Sequence, residues 1–178
     1  MNLHDLLRRA ESLHAADKPA GLLARVSGKV VPGKRFAEFL RGAWLGHPVH
    51  PILVTVPIGA WLSAGVLDLT GRQAAARQVV ALGLATVPAA VLAGVADYAD
   101  LNAAQRRTGV VHAAANTVAT ALAVASFACR SRNRHVAGAV LNALGVAAAG
   151  AGGALGGHLA YAQGAGVRRY DPPFERRP

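Results

Sequence analysis

The chain has 178 residues, 53% of them hydrophobic and only 16% charged, with a formal net charge of +10. An ordinary soluble domain carries about 25% charged residues, so the composition argues against an average water-exposed globule. The basic balance does not read as a nucleic-acid surface either, because the few aromatics are not interleaved with the Lys and Arg residues and no base-stacking face is visible.

Residues 1–46 form a basic N-terminal region, cytoplasmic or interfacial. Leu3, Leu6, Leu7, Ala10 and Leu13 recur at helical spacing, with Arg8, Arg9 and Glu11 between them. This helix either lies on the membrane or forms, with the next amphipathic stretch, a cytoplasmic helix pair packing on itself. In a second amphipathic stretch, Phe36, Phe39, Leu40, Ala43 and Trp44 stand beside Lys34, Arg35 and Arg41. Basic side chains next to Phe and Trp suit a helix in the bilayer interface.

Four apolar stretches follow, at 51–69, 78–98, 109–129 and 136–160. Each approaches the roughly 20 residues that cross a hydrocarbon core. The expected fold is all-α: an integral membrane four-helix bundle over 47–164, running up-down-up-down, with the amphipathic region before it and a cytoplasmic tail over 165–178. A soluble Ala-rich bundle is the alternative. All 19 Lys and Arg lie outside the four stretches. Fourteen fall on the side of both termini and the second loop, and five in the first and third loops, with Arg130 counted in the third. The positive-inside rule then puts both termini in the cytoplasm and the protein in a bacterial inner membrane. No signal-peptide pattern is visible, and one cysteine, Cys129, excludes an intrachain disulfide.

Pro51 is placed to open the first span. Pro57 and Pro88 each remove a backbone donor inside a span and should kink it. In the last span Gly145, Ala149, Gly152, Gly153, Gly156 and Gly157 permit close helix contact.

The chemistry concentrates at one end of the spans. With this topology His47 and His50 start the first span, Asp97 ends the second, His112 starts the third, and His158 and Tyr161 end the fourth. Ionisable groups inside a membrane bundle usually face an interior. Neutral imidazoles on facing helices can hold haem b, for which His112 and His158 are the expected axial pair, with His47, His50 or Asp97 orienting them. A non-haem transition metal could instead take His50, His112 and His158 with Asp97. The ring nitrogens of those three histidines should converge within about 4–10 Å. Helical phase groups His50, Trp61 and Asp68, with Asp68 about 27 Å along the span. His112, Asn116 and Thr120 form a polar stripe that could serve a proton or ion path, or bond across helices. His4, His14 and His135 read as surface residues.

The segments Trp44-Leu45-Gly46-His47-Pro48-Val49-His50-Pro51, Pro57-Ile58-Gly59-Ala60-Trp61, Gly94-Val95-Ala96-Asp97-Tyr98, Arg107-Thr108-Gly109-Val110-Val111-His112 and Gly156-Gly157-His158-Leu159-Ala160-Tyr161 resemble a bacterial membrane family catalogued as domain of unknown function 2231. The resemblance implies a four-span membrane domain. Some similar proteins continue into a Rieske-type [2Fe–2S] domain, whose cysteines have no counterpart here. That association implies redox work with an iron–sulfur protein or a quinone. The expected function is a membrane redox or metal-binding module. A small proton or metal-ion transporter and a cofactor-free membrane adaptor are the alternatives. No catalytic signature is present: there is no nucleophile elbow, phosphate loop or dinucleotide fingerprint.

Overall fold

The computed structural model describes residues 3–31, 33–167 and 169, with side chains from Asp5 onward. The described residues are helical and contain no strand. The elements are α1 (Leu3–Glu11), a 3₁₀ turn (His14–Ala16), α2 (Asp17–Val30), α3 (Lys34–Arg41), α4 (His50–Leu53), α5 (Thr55–Leu69), α6 (Gln73–Tyr98), α7 (Ala103–Ser131), α8 (His135–Gly157) and a π-helical turn (His158–Ala162). Four helical runs are long and apolar enough to cross a membrane: His50–Leu69, Gln73–Tyr98, Ala103–Ser131 and His135–Ala162.

The helices start and stop for local reasons. Pro57 cannot donate to the Leu53 carbonyl four residues earlier, and its ring crowds that carbonyl. The break between α4 and α5 falls at this point, with the Thr55 hydroxyl bonded to the Ile52 carbonyl at 2.7 Å. α6 runs unbroken through Pro88. α7 opens with a capping box: the Asn102 side chain accepts from the Gln105 N–H, and the Gln105 side chain accepts from the Asn102 N–H, both at 3.0 Å. α3, α5 and α7 close on left-handed residues, Gly42, Gly71 and Asn133. In each case the next N–H reaches back to a carbonyl of the last turn, Ala43 to Glu38, Arg72 to Leu67 and Arg134 to Cys129. The spans are longer than the apolar stretches because α6 and α7 begin with turns that carry Arg77, Arg106 and Arg107.

The chain divides into two compact units. The second, Ile52–Ala90 with Ala113–Gly153, is a packed helical core. Ala60, Trp61 and Ala64 of α5, Ala76 and Val80 of α6, Ala119 and Ala123 of α7 and Ala149 of α8 form one buried cluster. Small residues set its spacing. A methyl group on Gly83 would stand 2.5 Å from the Trp61 indole nitrogen, and one on Gly145 would stand 3.2 Å from the Ala119 carbonyl. The Asn142 amide donates to the Trp61 carbonyl at 2.9 Å.

This unit also holds a buried ion pair. Arg130 has no exposed surface, and its two terminal nitrogens donate to the two oxygens of Asp68, each at 2.6 Å. Its Nε donates to the Ser126 hydroxyl, which donates to the Gly138 carbonyl. Arg130 is therefore not a loop charge, as its place in the charge count assumes: it lies inside α7, where the Asp68 carboxylate compensates its burial.

Candidate functional site

The first unit comprises the chain up to Pro51, Val91–His112 and the chain from Ala154 onward. It contains His47, His50, Asp97, His112, His158 and Tyr161, the chemistry-bearing residues singled out in the sequence. Trp61 and Asn116 belong to the second unit. Trp61 is buried there, and the Asn116 amide packs on Gly152, where a methyl group would come within 2.6 Å of it.

His50 opens α4, and His112 lies two turns into α7. Their rings are 6.2 Å apart, centre to centre, with planes at 79°. Glycines let neighbouring backbones approach both rings. A methyl group on Gly94 of α6 would stand 2.9 Å from the His50 ring, and one on Gly156 of α8 would stand 2.9 Å from the His112 ring. These glycines are close-approach positions.

His158 is buried and opens the π-helical turn, a device that often re-aims side chains at functional positions. Its Nε2 lies 2.6 Å from a carboxylate oxygen of Glu11 at the end of α1. The His158 side chain is 3% exposed and that of Glu11 32%, so the pair joins a buried imidazole to a carboxylate that reaches water. Asp97 accepts from Arg169 at 2.6 Å. His47 is exposed, and its carbonyl packs on Gly42. Tyr161 is exposed as well.

The N-terminal helices complete this unit. Arg107 donates to both oxygens of Asp17, at 2.6 and 3.2 Å, and to the Glu11 carbonyl at 3.2 Å. The Arg107 hydrogen bonds hold the Asp17 carboxyl below the usual carboxylate range. The Tyr98 hydroxyl lies 3.0 Å from the Arg106 carbonyl and 3.3 Å from that of Ala20. α1 and α2 thus dock on the ends of α6, α7 and α8, an arrangement that neither sequence alternative for the first helix contained. In the sequence Glu11 reads only as a polar residue of the first helix and Arg107 only as the start of a family-like segment, and Asp17 has no role. Residues 1–46 carry four carboxylates, Asp5, Glu11, Asp17 and Glu38, in a strongly basic segment, and nothing local marks which of them pair.

Among the described residues no group of three or more His, Cys, Asp and Glu stands together to hold a bare metal ion. Two imidazoles do stand together. A metal held by one nitrogen of each of two imidazoles, about 2 Å from each, would keep the ring centres about 6 Å apart. The His50 and His112 ring centres, 6.2 Å apart, stand at about that separation. The sequence pairs His112 with His158, whereas here His112 neighbours His50 and His158 holds Glu11.

His14 is exposed beside Asp17, and the side chain of His4 lies outside the described residues. His135 is half-buried: its Nδ1 is enclosed without a hydrogen-bond partner, and it lines a cavity of about 300 Å³ with Gln73, Arg77, Arg130 and Asn133.

Gly42 positions the lead-in to His50. Its φ is +87°, and a methyl group there would collide with the His47 carbonyl and stand 2.8 Å from the Val49 side chain. Gly46 has φ +71° but nothing near it. Gly46→Ala should therefore cost only the left-handed backbone penalty of about 1–2 kcal/mol. Gly42→Ala should cost more and shift His47–Pro51. Thermal unfolding of the two variants in detergent checks the order.

A family model described as a predicted membrane protein (DUF2231) matches residues 46–169. No curated protein and no solved structure matches the chain.

Proposed function

The chain belongs to the DUF2231 family of predicted membrane proteins, and on that premise we propose that it is a membrane redox module holding haem b between His50 and His112. The observation that carries this reading is the 6.2 Å separation of two near-perpendicular imidazoles from different helices. When bound, the haem would supply one-electron transfer to or from a quinone or an iron–sulfur protein. The chain's own part is to hold the rings, through the close backbones at Gly94 and Gly156, and to manage protons. The Glu11–His158 pair suits the second task, because a buried imidazole can exchange a proton with water through a half-exposed carboxylate. The same pair favours the second reading, a proton-carrying membrane protein without haem.

Protein from haem-replete cells, purified in detergent, should show a Soret band, with visible bands that sharpen on dithionite reduction. Colourless protein without stoichiometric iron, copper or zinc would overturn the redox reading and leave the proton-carrying one.

The proposed setting is a bacterial cytoplasmic membrane with both termini inside. Its support is the fourteen-to-five split of basic residues, and the burial of Arg130 with Asp68 sharpens the asymmetry. Reporter fusions after residues 72 and 132 should be extracytoplasmic, and those after residue 104 and at the C-terminus cytoplasmic. The reverse pattern would move the histidines to the outer face.

A further inference from the structure

The inner side of α3 is fixed within its unit. Ala37 is buried, and Arg41 donates to the Ala96 carbonyl at 3.0 Å and to Asp100 at 2.9 Å. Ala96 belongs to the last turn of α6, and Asp100 lies just beyond it. Because α6 is long and apolar enough to cross a membrane, these bonds hold α3 level with the end of a span. The chain then turns at Gly42 and enters the next such run at His50.

The outer side of α3 is apolar and exposed. Phe39 is 58% exposed and Trp44 64%, with Phe36 and Leu45 also open. The Phe39 and Trp44 rings stack at 6.2 Å, and the indole N–H donates to the Phe39 carbonyl. Lys34 and Arg35 are exposed at the start of the same helix. On α2, Leu22, Val26 and Val30 are exposed at a spacing of four. In water such a patch is a liability. At the boundary of a bilayer, aromatic rings are favoured where hydrocarbon meets headgroups, and nearby cations attract anionic lipid.

We propose that α3 with Trp44 and Leu45 is an in-plane helix of the membrane interface, its aromatic face seated among the phospholipids and Lys34 and Arg35 drawing anionic headgroups. The occupant is lipid, not a protein partner, because the chain passes from the patch into the span at His50 and Arg41 ties α3 to the last turn of α6. The inference goes beyond the redox reading and does not depend on a bound haem.

The test uses the full chain carrying Trp61→Phe, so that Trp44 is the only tryptophan, reconstituted in vesicles of phosphatidylethanolamine and phosphatidylglycerol. Lipids spin-labelled near the top of the acyl chain should remove most of the Trp44 emission, and acrylamide should remove little. In neutral phosphatidylcholine the lipid quenching should weaken, and unchanged quenching would overturn the role of Lys34 and Arg35. Full acrylamide quenching with no lipid quenching would overturn the proposal and return the face to a protein partner. If Trp61→Phe does not fold, a spin label at Phe39→Cys in a Cys129→Ser chain replaces it. Greater access to oxygen than to a water-soluble nickel chelate supports the interface, and the reverse overturns it.

Discussion

Asp68→Ala should destabilise the protein by about 3–5 kcal/mol, the usual cost of stripping one partner from a buried ion pair. Arg130 has no exposed surface, and both of its terminal nitrogens are committed to Asp68. Removal of the carboxylate leaves a buried guanidinium charge whose Nε is bonded to the neutral Ser126 hydroxyl. Arg130→Met should cost a comparable amount, because it strands the carboxylate instead. The double variant Asp68→Leu, Arg130→Met should recover most of the loss, since it removes both desolvation penalties and keeps the volume filled. Unfolding in detergent, by temperature or denaturant, reads all three. A single variant costing under about 1 kcal/mol, the range of exposed pairs, would mean that water reaches the site.

The second large effect concerns the histidine pair. His50→Ala and His112→Ala should each abolish the two-imidazole spectrum, because each would remove one of the two residues proposed to hold the iron. His158→Asn should leave the absorption in place, since His158 is engaged by Glu11. Gly94→Ala offers a gentler test. Its methyl group would stand 2.9 Å from the His50 ring and must tilt it, and disturbance of a ligand's surroundings typically weakens metal affinity about 10–100-fold. Haem titration of each variant, with near-native unfolding curves as the control, checks the order. If His158→Asn removes the spectrum and His50→Ala does not, the axial pair is the one the sequence favours.

The helices were legible in the sequence because hydropathy and length decide them. Four apolar stretches became four helical runs, and the small residues of the last stretch became the close contacts at Gly145, Gly152 and Gly156. The polar wiring was less legible. Arg107 meets Asp17 across 90 residues and His158 meets Glu11 across 147, and no local periodicity encodes a pairing at that distance. Arg130 misled for a related reason: hydropathy assigns an arginine at a span end to water, and only the position of Asp68 on α5 makes its burial tolerable. The capping box at Asn102 and Gln105 could have been read directly from its spacing.

The Asp68–Arg130 pair also constrains how the protein is made. Asp68 leaves the ribosome 62 residues ahead of its partner. At about 5–20 residues per second, that is an interval of roughly 3–12 seconds. Throughout it the first span carries an acidic group whose buried partner has not yet been made. A nascent chain halted before α7 should therefore hold its first span loosely and be extracted by alkaline carbonate. One that has released Arg130 should resist extraction, so insertion becomes irreversible only when the third span arrives.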